Sequence, residues 1–274
     1  MRLGICSWSL RPQNPADLAE RVQRAGFSAV QLALTPVVEE PAVWGHAIQH
    51  LQGAGIAVLS GMLATHAEDY STLESIARTG GLRPAQHWPA NLERARHVAA
   101  CAAQAGIPLV TFHAGFIPHE PRDPERAVLL DRLRQVADIF AQHHVRLGLE
   151  TGQESAATLL DALHALAHPN VGVNFDPANM ILYGMGDPVA ALRALAPHVV
   201  QVHVKDAVPT TQPGTWGQEV TAGTGAVDWP AFFQAVRALP QPVDLVVERE
   251  AGAAREGDAA IAAALVRTHL PAMR

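Results

Sequence analysis

The chain has 274 residues, 49% of them hydrophobic and 17% charged, and a net charge of −6 with histidine neutral. That size suits one large α/β barrel or two small domains, and the composition is that of a globular chain rather than a disordered one. The acidic balance excludes a global pull on nucleic acid or an anionic membrane, and no apolar run approaches the ~18 residues of a membrane helix.

The only two cysteines, Cys6 and Cys101, give neither a disulfide framework nor a zinc-type pair. The N-terminus, MRLGICSWSL, lacks a signal-peptide apolar region and cleavage site. A reducing cytoplasm is the expected location.

Short apolar runs alternate with amphipathic segments along the whole chain. The first strand is predicted at 3–9 (LGICSWS). Asn14-Pro15 then caps a helix whose apolar face is Leu18, Val22 and Ala25, and Gly26 is placed to close it. Strands follow at 29–34 (AVQLAL), 56–63 (IAVLSGML) and 108–114 (PLVTFHA), with Gly55 and Gly106 as helix stops just before two of them. Asp123-Pro124 starts a helix with the stripe Leu130, Leu133, Ala137 and Phe140. The remaining strands are 146–151 (RLGLET), 171–176 (VGVNFD), 199–205 (VVQVHVK) and 243–248 (VDLVVE), with a further helix start at Asp187-Pro188.

Eight strands, each followed by a helix pattern, predict a single (β/α)8 TIM barrel of the α/β class over residues 1–274. An open doubly wound sheet would show a Gly-rich phosphate turn after its first strand, and none follows 3–9. No linker divides the chain. The longest irregular stretches, 64–90 and 206–227, both follow strands, on the side where a barrel carries its functional loops.

The later strands have one polar and one apolar face. Gln201, His203 and Lys205 alternate with Val200, Val202 and Val204, and Asn174 and Asp176 with Val173 and Phe175. In a barrel the polar set points inward. Four consecutive strand ends then carry Glu150, Asp176, His203 and Glu248. Three converging carboxylates repel unless a cation joins them, and with one imidazole they form a hard, oxygen-rich site for one divalent metal. Mn2+ is the expected ion; Mg2+, Co2+ or Zn2+ also suit the donors.

The segments GLETGQE (148–154), VNFDPAN (173–179), VHVKD (202–206) and VVERE (246–250) resemble the xylose isomerase-like barrel superfamily, in its sugar phosphate isomerase/epimerase branch. EDYSTLESI (68–76), FHAGF (112–116) and GTGAVDW (223–229) share the likeness, which spans nearly the whole chain. The resemblance implies that Glu150, Asp176, His203 and Glu248 are the metal ligands. It also gives Glu150 and Glu248 a second role as acid and base on opposite faces of a sugar or sugar phosphate. It implies a homo-oligomer, a dimer or tetramer, and no nucleic-acid partner.

Six more residues are candidates for substrate contact: His113, Asn179, Lys205, Glu154, Trp8 and Trp216. Lys205 can bind a phosphate or pair with Asp176 or Glu150. Trp8 and Trp216 can stack on a sugar face. His66 is better read as a loop residue than as an extra ligand. Asn179 departs from the histidine that many ketose epimerases carry there, and this leaves the reaction open. A dehydratase or a hydroxypyruvate isomerase-like enzyme is the alternative on the same barrel. An endonuclease IV-like nuclease needs more histidines and an Asp-x-His pair that 206–230 lacks.

Overall fold

The computed structural model describes residues 1–271. Among the described residues ten strands occur in chain order: β1 (Leu3–Cys6), β2 (Ala29–Ala33), β3 (Ala57–Met62), β4 (Leu109–Phe112), β5 (Arg146–Glu150), β6 (Val171–Phe175), β7 (Val199–Val204), β8 (Asp206–Val208), β9 (Gln218–Val220) and β10 (Asp244–Val247). Eight of them close a parallel barrel in the order β1-β10-β7-β6-β5-β4-β3-β2, and β8 and β9 form a separate antiparallel pair. This is the predicted (β/α)8 barrel with one added hairpin.

The helix signals hold. Asn14, Asp123 and Asp187 each accept a backbone N–H from the first turn of the helices Pro15–Arg24, Pro124–Gln142 and Pro188–Leu195. Gly26, Gly55 and Gly106 adopt φ of 79°, 75° and 67°, the left-handed conformation that ends a helix without a Cβ penalty. Leu129 is the buried leader of the Pro124–Gln142 stripe, ahead of the half-buried Leu130.

The main core lies between the barrel wall and the helices, where outward strand residues such as Val173, Phe175, Val202 and Val204 meet helical Leu, Val and Phe. A smaller apolar cluster, Cys6, Ala29, Leu59 and Val246 with Trp8 against it, packs beside His203 inside the barrel. Above it the interior is polar: Gln31, Ser60, Thr111, Asn174, Gln201 and His203 are all buried. They are tolerated because they bond one another.

Two strand features differ from strict alternation. The first strand stops at Cys6 and turns into a 3-10 helix, Ser7–Leu10, so Trp8 sits on a turn at the barrel mouth. The pairing of β6 with β7 shifts between Val173 and Asn174, which face Val199 and Gln201, and leaves Val200 as the extra residue. Val200 consequently turns to the same side as Gly148 and Gly172, whose hypothetical Cβ atoms would lie 3.4 and 2.4 Å from its methyls. It fills the space that those glycines leave inside the barrel.

Candidate metal centre and active site

The four acidic and imidazole side chains converge as the strand pattern requires. Glu150 ends β5, Asp176 directly follows β6, His203 lies in β7, and Glu248 directly follows β10. The amide of Glu248 still bonds Val204 O at 3.2 Å, so strand geometry continues far enough to aim its side chain inward. Each of the four offers a donor atom within 4.8 Å of the others, and all four residues are buried. Among the described residues the other such group, Cys6, His203 and Glu248, overlaps this one.

Asp176 divides its carboxylate between two tasks. Oδ1 caps the helix Pro177–Leu182 by accepting from Ala178 N (2.8 Å) and Asn179 N (3.0 Å). Oδ2 has no hydrogen-bond partner although fully buried, and neither has His203 Nδ1, 3.6 Å away. His203 Nδ1 also stands 3.6 Å from Glu150 Oε1 and 3.4 Å from Glu248 Oε2. Two orphaned donor atoms among three carboxylates are what a divalent cation satisfies, so these residues fit one.

The electrostatics agree. Burial alone opposes protonation of His203, yet the surrounding carboxylates of Glu150, Glu248 and Asp176 raise its pKa well above the ordinary imidazole value. Glu248 is buried too, but Lys205 and His203 hold its carboxyl well below the usual range. Burial pushes the Cys6 thiol up, leaving it a neutral neighbour on the far edge of the His203 ring.

Glu150 and Glu248 of the cluster line a cavity of about 720 Å³ at the barrel mouth. Trp8 donates its indole N–H to Glu248 Oε1 at 2.7 Å. Asn179 Nδ2 donates to Glu150 Oε1 at 3.1 Å, and His113 Nε2 lies 3.5 Å from the same oxygen. Lys205 donates to Glu248 Oε2 at 2.8 Å and Glu250 Oε2 at 2.7 Å; Asp176 and Glu219 stand at 3.9 and 4.0 Å. Its ammonium is buried among carboxylates. Trp216 meets Tyr183 edge-on at 4.8 Å, and its indole nitrogen is buried without a partner.

Glu154 does not line this cavity. It is buried beside the backbone of Ile117, and burial pushes its pKa up to about 8. His66 accordingly remains a loop residue: it meets Arg94 at 3.0 Å, away from the cluster. Both long irregular stretches reach the cavity, through Ala64, Glu68 and Tyr70 on one side and Trp216, Gly217 and Glu219 on the other. Strand alternation gave no sign of Glu68, Tyr70, Tyr183, Glu219 or Glu250 as wall residues. A second cavity of about 700 Å³ lies outside the barrel; there Arg83 pairs with Glu125, and Arg132 binds the carbonyls of residues 82 and 83.

A sequence profile of the xylose isomerase-like TIM barrel family matches residues 19–269, and the chain belongs to that family. A structure of a xylose isomerase domain protein from Planctomyces limnophilus superposes with a TM-score of 0.84 at 32% identity, covering 92% of this chain and 93% of that one. An L-ribulose 3-epimerase superposes with a TM-score of 0.74 over 98% of this chain and 94% of its own, but at 18% identity that likeness is one of fold.

Two curated relatives match in part. A 3-oxo-isoapionate decarboxylase of Pectobacterium atrosepticum is 30% identical over 134 residues, 47% of each chain. A 3-dehydroshikimate dehydratase of Bacillus anthracis is 30% identical over 86 residues, 30% of each. The chain thus matches about half the length, or less, of these curated relatives. Among the described residues no helix is long and apolar enough to cross a membrane.

Proposed function

We propose that this chain is a divalent-cation-dependent isomerase or epimerase of a small unphosphorylated sugar, working through an enediolate. The convergence of Glu150, Asp176, His203 and Glu248, with two buried donor atoms left unpartnered, carries this reading. These four residues would hold the cation, Mn2+ by expectation. When bound, it supplies the positive charge that acidifies the carbon beside the sugar carbonyl and stabilises the enediolate.

The proton carriers are Glu150 and Glu248. They come from β5 and β10, which β6 and β7 separate around the barrel, so they reach the cavity from different sides. One carboxylate takes the proton from the sugar carbon, and the other returns one to the opposite face for epimerisation. Return to the neighbouring carbon gives isomerisation instead. Asn179 and Asn174 orient Glu150 through its two oxygens, while Trp8 and Lys205 do so for Glu248. Trp8, Tyr70 and Trp216 supply apolar ring faces for the sugar. The paired state of Lys205 among Glu248, Glu250 and Glu219 favours a neutral sugar over a phosphate ester.

A second reading keeps the enediolate but not the proton shuttle: loss of CO2 from a β-keto acid generates it, or loss of a β-hydroxyl consumes it. The decarboxylase and dehydratase among the curated relatives favour it. Incubation of the Mn2+-loaded protein with a panel of sugars and sugar acids in D2O, read by mass spectrometry, separates the two. Deuterium gain without other change supports isomerisation or epimerisation, whereas a lighter product supports decarboxylation or elimination. Glu150→Gln and Glu248→Gln should each abolish solvent exchange into the substrate while leaving the fold intact. Wild-type exchange in both variants would end the two-glutamate mechanism.

A further inference from the structure

Gln31 lies on β2, fully buried and beyond the cavity wall, yet its side chain reaches the imidazole at the centre of the site. Its amide orientation is set from behind. Nε2 donates to Thr111 Oγ1 at 2.7 Å and to the carbonyl of Gly61 at 3.4 Å. A carbonyl only accepts, so the nitrogen end of the amide belongs on that side. Oε1 is left facing His203 Nε2 at 2.8 Å, with the Cys6 thiol donating to it at 3.5 Å. An amide oxygen has no hydrogen to give, so the hydrogen of the short contact belongs to the ring.

We infer that Gln31 is a positioning residue that selects the ring tautomer of His203, holding the proton on Nε2 so that Nδ1 presents its lone pair to the cation. This step rests on the metal-centre reading above. The surroundings of Nδ1 agree: it has no hydrogen-bond partner, and carboxylate oxygens of Glu248, Glu150 and Asp176 lie 3.4 to 3.6 Å away. Metal-binding histidines in general donate their second ring N–H to an oxygen acceptor, which fixes both tautomer and ring direction.

Asn174 is the competing neighbour. Its Nδ2 stands 3.1 Å from His203 Nε2 and would suit the opposite tautomer. That nitrogen, however, also donates to Glu150 Oε2 at 3.2 Å. Its amide is oriented by a separate run of bonds, Ser60 Oγ to Gln201 Oε1 at 2.5 Å and Gln201 Nε2 to Asn174 Oδ1 at 3.2 Å. Two runs of hydrogen bonds therefore cross the barrel interior. One ends on Glu150 and directs an N–H at a carboxylate; the other ends on His203 and directs an acceptor at a ring N–H.

The test compares wild type, Gln31→Leu and Gln31→Glu by calorimetric titration with Mn2+ and by ring 15N shifts of His203 in the Zn2+-loaded proteins. Leu removes the acceptor at similar size, and Glu keeps it. Gln31→Leu should bind Mn2+ about 10- to 100-fold more weakly, Gln31→Glu at least as tightly as wild type, and the wild-type ring should show Nε2–H with Nδ1 bound. Equal affinity in the Leu variant, no rescue by Glu, or a wild-type ring bound through Nε2 would overturn the inference. If the Leu variant fails to fold, the wild-type shifts and the Glu variant still decide. Wild type that binds no Mn2+ would instead sink the metal-centre reading itself.

Discussion

Alternation along 199–205 places Lys205 inward, where its ammonium donates to Glu248 and Glu250. Replacing it by Met would leave the buried Glu248 carboxylate without its ammonium partner. Removing one partner of a buried pair costs about 3–5 kcal/mol, so metal-free Lys205→Met should unfold at markedly lower urea than wild type. The pH window follows from the pair. Burial would raise the carboxyl pKa of Glu248, but Lys205 and then His203 hold it well below the ordinary carboxylate range. That contribution is present above the ordinary carboxylate range and is lost as pH falls. Lys205, whose pKa is held above 10.5, loses its contribution only as pH rises beyond the ordinary lysine value. The deficit should therefore be widest between those limits and shrink in acid; a deficit unchanged at low pH would contradict the pairing. At this scale the central cluster was legible because strand ends announce it. Gln31 was not: a single amide within an apolar strand resembles any buried polar residue until the barrel closes and brings Thr111 and His203 to it.

The hairpin of β8 and β9 carries one wall of the cavity, and Asp206 ties the chain beyond it back to its base. Asp206 accepts from the backbone of Ala207 (2.9 Å), Gly223 (2.8 Å), Gly225 (3.0 Å) and Val227 (3.2 Å), and from Trp229 Nε1 (2.9 Å). Gly225 permits this approach, since a Cβ there would lie 2.1 Å from Asp206 Oδ1. Asp206→Asn sets an amide N–H against several of these donors and removes the charge that strengthens the bonds. A loss on the order of 3 kcal/mol is expected. Limited proteolysis should then cut within the exposed tip 211–215 faster than in wild type, while the helix Pro124–Gln142 stays protected. Equal cleavage rates would deny Asp206 this role. The sequence shows 206–227 as an irregular segment after a strand, and its position at the barrel mouth followed from the fold. The hairpin pairing did not, because β8 and β9 have only three residues each and show no alternating run. The extra residue at Val200 escaped for a similar reason: a register shift belongs to two strands together, and one strand's pattern cannot display it.

For the molecule as a whole, the count of eight strand–helix units was enough to close the barrel, because parallel strands joined by helices have few other ways to bury both faces. The same burial produces a defect that the sequence did not disclose. Glu154, four residues beyond Glu150 and expected at the substrate, is enclosed next to the Ile117 backbone with no cation beside it. Burial raises its pKa from 4.5 to about 8, so the folded chain keeps it protonated where the unfolded chain releases the proton. Between these two values the native state binds more protons than the unfolded state, and stability falls with rising pH by about 1.4 kcal/mol per unit. Below 4.5 both states are protonated and the effect vanishes; above about 8 both are ionised and the loss levels off. Gln keeps the shape and removes the titration. Glu154→Gln should therefore match wild type at pH 4 and exceed it progressively up to pH 8, by on the order of 3–5 kcal/mol. Urea unfolding of both proteins across that range reads the difference directly, since every other titrating group is common to the two. Curves that stay parallel from pH 4 to pH 8 would mean that Glu154 finds a compensating donor or water in solution. A gap that opens with rising pH would identify it as a carboxylic acid kept neutral by the fold.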